Sequence, residues 1–171
     1  MSKDPGAVTA TLYPNFNPVD LAAAKEFLRN HHHGVLATHR KNGGIQMSPI
    51  TPGLDEGGRV IISSRETAYK VKNLRRDPRA SVCVFAPSFH GEGWVQASGS
   101  AEIISLPQAL DSLIYLSRQA YGVHKNWPDF HQRMARERRG LASEPIVELA
   151  SRPLPTFSAL AASTNLSTKL L

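Results

Sequence analysis

Apolar positions along this chain change period several times, and the changes mark out its elements. Leu21, Ala24, Phe27 and Leu28 recur at helical spacing. Ahead of them, Asn17-Pro18-Val19-Asp20 supplies a capping residue, a proline suited to a first turn and a carboxylate favourable to the helix dipole. A helix is therefore predicted from Asn17 to about Asn30, with Gly34 as its breaker. From Val35 to His39 the pattern is β-type, and Lys41-Asn42-Gly43-Gly44 offers a hairpin turn whose Asn-Gly pair accepts positive φ. Ile45 to Ile50 is the return strand. Pro49 and Pro52 assign its far end to an edge or a bend, because proline cannot donate to a ladder.

A second turn, Asp55-Glu56-Gly57-Gly58, leads to a third strand over Arg59 to Ser64. A short basic helix follows from about Thr67 to Arg76, stopped before Pro78. Ala80 to Ala86 and Trp94 to Ile104 read as strands, with a loop through Pro87 to Glu92 between them. Pro107 opens a helix carrying Leu110, Leu113, Ile114 and Tyr121, and Trp127-Pro128-Asp129 starts another whose basic end runs from Arg133 to Arg139. Pro145 to Leu149 reads as a last short strand. Residues 1–16 read as an arm and 151–171 as a Ser/Thr/Ala/Leu/Pro-rich tail, flanking one domain over 17–150. Short strands with helices gathered around them indicate an α+β domain built on a small antiparallel barrel.

At 171 residues the chain is long enough for a core, since about 150 residues bury roughly 70% of their unfolded surface. The single cysteine, Cys83, excludes an intramolecular disulfide and cysteine-rich metal or iron–sulfur sites. Between Val82 and Val84 it reads as a small core residue. No run approaches the roughly 20 apolar residues of a membrane helix, and the first residues carry no apolar signal segment, so a cytoplasmic protein without a membrane partner is expected. A net charge of +6 points to an anionic ligand.

The charge concentrates at Lys70-Val-Lys72-Asn-Leu-Arg75-Arg76-Asp-Pro-Arg79, after the hydroxyl-rich Ser63-Ser64-Arg65-Glu66-Thr67. A helix N-terminus beside hydroxyls and a lysine makes a phosphate site. Charge by itself favours a solvated face instead. Nucleic acid is the weaker reading, because only Tyr69 interleaves an aromatic ring, and none is expected as a partner. Trp94, Gln96 and Ser98 share one face of an alternating strand, which suits either a planar hydrogen-bonding ring or a subunit contact. His31-His32-His33 point in different directions and read as partners of the helix's last carbonyls; no metal site is expected. Nothing in the local spacing pairs a nucleophile with a base, so no catalytic side chain is assigned.

Taken in order, Gly34-Val-Leu-Ala-Thr38, Asn42-Gly43, Gln46-Met-Ser48-Pro-Ile50, Ile61-Ile-Ser63, Lys70 through Ser81 and Gly93-Trp-Val-Gln-Ala-Ser-Gly99 resemble the pyridoxamine 5′-phosphate oxidase-like split-barrel proteins. Within them the likeness is greatest to actinobacterial flavin/deazaflavin oxidoreductases that use coenzyme F420. The resemblance spans roughly residues 18 to 140. It implies a six-stranded antiparallel split barrel with peripheral helices, paired as a homodimer with two cofactor sites at the interface. Gln46, Ser48, Pro49 and Ile50 would line the flavin or deazaflavin ring. Ser63 and Lys70 would hold the phosphate, with Tyr69 and Asn73 beside them, and Trp94 and Gln96 would arrive from the partner subunit.

Two departures narrow the activity that the resemblance implies. Tyr69 stands where vitamin-processing members often carry arginine, and their C-terminal Trp and Arg have no counterpart after Ser151. Oxidation of pyridoxamine phosphate is thus disfavoured. The implied activity is hydride transfer between F420 and a small unsaturated or conjugated acceptor. FMN chemistry on the same phosphate site, or cofactor binding without turnover, are the alternatives.

Overall fold

The computed structural model describes residues 21–88, 93–144 and 148–151. Its elements run, in chain order, α1 (Leu21–Asn30), β1 (His33–His39), β2 (Ile45–Ile50), β3 (Pro52–Leu54), β4 (Val60–Arg65), α2 (Tyr69–Arg76), β5 (Arg79–Phe85), β6 (Trp94–Ser100), β7 (Glu102–Ile104), α3 (Leu110–Tyr121), α4 (Trp127–Arg136), β8 (Arg139–Glu144) and β9 (Glu148–Ser151). The start predicted for the first helix at Asn17, the arm over 1–16 and the tail beyond Ser151 lie outside the described residues; Ser151 itself closes β9. Among those residues no helix is long and apolar enough to cross a membrane.

The fold is α+β, with two antiparallel sheets in the orders β2-β1-β5-β6-β9 and β3-β4-β8-β7. Among the described residues the expected strands appear as nine short segments. Thr51 alone separates β2 from β3, and Ala101 alone separates β6 from β7, so two bent segments each contribute a strand to both sheets. The prolines explain one bend. Pro49 lies in β2 at the edge of one sheet and Pro52 begins β3 at the edge of the other, where a missing N–H breaks no ladder.

The main core fills the space between the sheets. Leu36, Val82, Val84, Val95 and Ala97 come from the first sheet, and Leu54, Val60, Ile62 and Ala142 from the second; Ala24, Phe27 and Leu28 of α1 and Leu74 of α2 join them. A second cluster lies behind the smaller sheet, where α3 and α4 press Leu113, Leu116, Phe130 and Met134 onto Ile61 and Leu141. Val60, Ile61 and Ile62 are consequently all buried, with no polar face between them.

Four sequence expectations need correction. Gly34 is a strand residue rather than a helix breaker: a Cβ there would sit 2.8 Å from the Cys83 carbonyl oxygen of the neighbouring strand. Cys83 is partly exposed, because Val82 and Val84 take the inward positions and alternation turns it outward. The basic run also divides. α4 stops at Arg136, Arg138 takes a positive φ of 49°, and Arg139 opens β8, a strand the sequence reading passed over. The last strand was expected over 145–149; β9 covers 148–151, and 145–147 lie outside the described residues.

Gly34→Ala should destabilise the fold by about 1–3 kcal/mol, the usual cost of overpacking a site whose neighbour is backbone. Chemical denaturation measures it; an unchanged midpoint would show that β1 and β5 separate freely.

Candidate functional site

A cavity of about 760 Å³ opens where the β2–β3 bend, β4, the start of α2, α3, α4 and β8 converge. Pro49, Ile50 and Thr51 line the bend, Ser63 and Lys70 the β4–α2 side, and Leu113, Leu116, Phe130 and Met134 an apolar floor. Four of the expected residues, Pro49, Ile50, Ser63 and Lys70, are therefore brought together in one place. The lining also includes Arg133, Glu137 and Arg139, which the sequence reading had merged into a helix end.

Lys70 stands in the first turn of α2, whose N-cap position is Ala68 with no side chain capping it. The first-turn amides therefore have no side-chain acceptor from the cap, which suits an anion. Burial, then the charge of Arg139, pushes the Lys70 ammonium below its ordinary 10.5. Neither cause involves a carboxylate, and among the described residues Lys70 forms no ion pair. Ser63, half-buried in β4, adds a hydroxyl, whereas Ser64 is buried and turned to the Arg65 carbonyl oxygen at 3.5 Å. A hydroxyl, two cations and an open helix start make a donor set suited to phosphate.

Gln46, Ser48 and Asn73 do not line the cavity but form a network beside it. Asn73, only 5% exposed, donates to the Thr38 hydroxyl (3.1 Å) and the Gln46 amide oxygen (2.9 Å). Gln46 in turn donates to the Ser48 hydroxyl (3.4 Å). Arg76 closes the set, donating to the Asn73 oxygen at 3.2 Å and to the His39 carbonyl. Asn73 thus ties α2 to β1 and β2 and fixes where Lys70 stands. Tyr69 is 74% exposed, with the Lys72 ammonium 5.3 Å from its ring centroid. Trp94 and Gln96 lie opposite Phe85 and Cys83 on the outer face of the five-stranded sheet and do not line this cavity.

Arg139 is held by Glu137, whose carboxylate accepts from its Nε at 2.9 Å. Arg65 approaches the same oxygen at 3.8 Å. At the rim, the Tyr121 and Thr51 hydroxyls meet at 3.2 Å, and the His124 ring lies 5.5 Å from Phe130. Arg133 and Glu137, four residues apart, carried a helical signal for sharing a face. Nothing local revealed Arg139. Of the three histidines only His31 is a helix-end partner, its Nδ1 meeting the Phe27 carbonyl at 2.9 Å; His32 Nδ1 instead meets the Pro52 carbonyl of β3 at 2.9 Å, and His33 opens β1.

The chain matches the pyridoxamine 5′-phosphate oxidase family model over residues 21–149. Among solved structures it is similar to a conserved hypothetical protein of Mycobacterium tuberculosis, at 20% identity and a TM-score of 0.69, covering 82% of this chain and 89% of that one. An F420 reductase is similar at 19% identity and a TM-score of 0.59, over 74% of this chain and 94% of that one. A heme-binding protein of Mycobacterium smegmatis is similar at 22% identity and a TM-score of 0.59, over 85% of this chain and 61% of that one. At such identities these are likenesses of fold.

Two carboxylates bracket the site electrostatically. A hydrogen bond from Ser105, then Arg75 and Arg138, hold Glu66 below its ordinary 4.5. The bond from Arg139, then the charges of Arg139, Arg65 and Arg133, do the same for Glu137. Depressed carboxylates protonate more readily in the unfolded chain, so their stabilisation is complete above 4.5 and is lost as pH falls through the depressed values. Melting temperature should therefore drop below about pH 4.5, and drop less steeply in the Glu66→Gln/Glu137→Gln double variant. Parallel pH profiles would remove these groups from the acid transition.

Proposed function

Because this chain belongs to the pyridoxamine 5′-phosphate oxidase family, we propose that it is an oxidoreductase passing a hydride between coenzyme F420 and a small unsaturated or conjugated acceptor. One observation carries this reading: Lys70, half-buried and without an acidic partner among the described residues, stands with Ser63 and Arg139 at an uncapped helix start, in a cavity floored by apolar side chains. Bound there, a flavin or deazaflavin would supply the hydride chemistry, which no side chain of this chain needs to provide. Ser63, Lys70 and Arg139 would hold its phosphate. Pro49 and Ile50 would flank the ring, Gln46, Ser48 and Asn73 would keep that edge in register, and the apolar floor would exclude water.

FMN remains a second reading for one specific reason. The lining carries three cations, Lys70, Arg133 and Arg139, against the single carboxylate of Glu137, and a phosphate monoester of charge about −1.5 to −2 nearly balances that excess. Fluorescence titration with F420 and with FMN decides between the two; binding of neither overturns both. Lys70→Ala should weaken the cofactor by roughly 10- to 150-fold, the worth of a charge-assisted hydrogen bond of about 1.5–3 kcal/mol. Lys72→Ala, on the exposed side of α2, is the control. Equal small losses in both would leave the basic helix a solvated face. A lysine whose folded pKa lies below 10.5 costs stability while it is charged, a cost that fades as pH rises through the depressed value. Lys70→Ala should accordingly keep or raise the melting temperature at neutral pH.

The outer face of the five-stranded sheet supports a homodimer. Met47, Pro49, Val35, Ala37, Cys83, Phe85 and Trp94 share it, with Met47 70% exposed. A patch of this kind marks an interface. Counting each bent pair, β2–β3 and β6–β7, as one strand gives the six strands of a split barrel, with β9 added at an edge. Trp94 and Gln96 would then reach the partner's cofactor across that face. Light scattering should give twice 18.7 kDa, and Met47→Asp should shift it toward the monomer; a wild-type monomer at micromolar concentration rejects the dimer.

A further inference from the structure

Arg133 is the cavity cation that the phosphate reading leaves without work. It projects from α4 one turn after Phe130, with its guanidinium carbon 5.7 Å from that ring's centroid. Its residue is half-buried. Among the described residues it makes no ion pair: its charge acts on the nearby Glu137 carboxylate only at longer range, and that carboxylate is engaged by the Arg139 Nε at 2.9 Å and approached by Arg65 at 3.8 Å. The neighbouring Arg118 is occupied differently, 5.0 Å from the Trp127 ring. Beside Arg133 lie Leu113, Leu116, Phe130 and Met134, a surface that can bury a planar hydrocarbon body but offers it no polar partner.

A partly desolvated guanidinium above an apolar floor selects a particular chemistry. Its planar fork pairs with a carboxylate through two parallel N–H···O bonds, and reduced solvation strengthens the pairing. Ser63, Lys70 and Arg139 stand on β4, α2 and β8, whereas Arg133 stands on α4, so the cavity has two anion-binding corners on different elements.

We propose that the acceptor is an unsaturated organic acid, its planar body on the Phe130–Met134 floor and its carboxylate paired with Arg133. The assignment rests on the oxidoreductase reading for the word acceptor, and on the cavity alone for the acid. Such pairing would fix the conjugated bond relative to the Pro49–Ile50 side of the cavity, where the ring is placed. It would also make charge, rather than shape, the first filter on acceptors.

The test uses trans-cinnamate and trans-cinnamamide, which share a planar unsaturated body and differ in charge. Each is titrated calorimetrically into the full-length protein, with and without saturating inorganic phosphate at matched ionic strength. Wild-type protein should prefer the acid by about tenfold or more. That preference should survive phosphate and the Lys70→Ala variant, vanish in Arg133→Met, and return in part in Arg133→Lys. Arg133→Met keeps an unbranched apolar stem over Phe130, and an unchanged melting temperature confirms that its fold is intact. No preference in the wild type overturns the proposal. So does a preference that phosphate or Lys70→Ala abolishes while Arg133→Met retains it, since the cavity would then hold one anion site. Weaker F420 binding in Arg133→Met with FMN unaffected also overturns it, by assigning Arg133 to a carboxylate of the cofactor. Failure of the oxidoreductase reading shows separately, as absence of F420 and FMN binding in the wild type.

Discussion

The pairing of β4 with β8 is the contact on which the site depends. It sets Ser63 opposite Leu141, Ser64 opposite Gly140 and Arg65 opposite Arg139. A slip of one residue would turn Ser63 into the core and Ile62 or Ser64 into the cavity, because the side-chain period of a strand is two. Burial on both faces prevents that slip: Ile62 packs into the main core while Ile61 and Leu141 pack under α3 and α4. The register that closes two hydrophobic clusters is therefore the same register that brings Arg139 within electrostatic reach of Lys70.

Polar anchoring completes what packing begins. Asn73 is buried, and its side chain bonds to groups on β1, β2 and its own helix. An unsatisfied amide at that depth costs about 1–3 kcal/mol, so α2 is held at one height against the sheet. On the opposite side, Gln119 of α3 accepts from the Leu54 N–H at 3.2 Å and donates to its carbonyl at 2.7 Å, completing an edge strand whose outer groups would otherwise face the helix. Gly53 permits that approach, since a Cβ there would lie 2.5 Å from Leu116. Two of the three helices that border the cavity, α2 and α3, are thus fixed by side-chain amides rather than by apolar contact alone.

The charges follow a consistent division. Glu66 gathers Arg75 and Arg138, and Glu137 gathers Arg65 and Arg139, so four cations near the site share two carboxylates. Among the described residues Lys70 and Arg133 form no ion pair. Such surface pairs add little stability individually, but they engage most of the neighbouring cations and leave these two without an acidic partner. A basic chain can in this way be selective within one cavity instead of merely attractive to polyanions.

Much of the framework was legible in the residues because its causes are local. The Asn42-Gly43 and Gly57-Gly58 turns, the edge assignment of Pro49 and Pro52, the basic helix and the alternation of Trp94, Gln96 and Ser98 follow from φ, from a missing N–H or from a period of two. That Ser63 and Lys70 would stand together was legible for the same reason, since a strand end and the helix after it are sequence neighbours. β8 was hidden because its Gly140 and Ala142 carry weak strand preference and follow directly on a helical basic run. Its pairing with β4 joins positions more than seventy residues apart. Only that long-range pairing could remove Arg139 from the helix and set it beside Lys70. Only the docking of α4 could bring Arg133 and Phe130 into the same cavity as Lys70. The sequence by itself determined which residues could bind an anion; tertiary packing decided which of them share one cavity, because side-chain direction there is set by burial on both faces of β4 and not by neighbours along the chain.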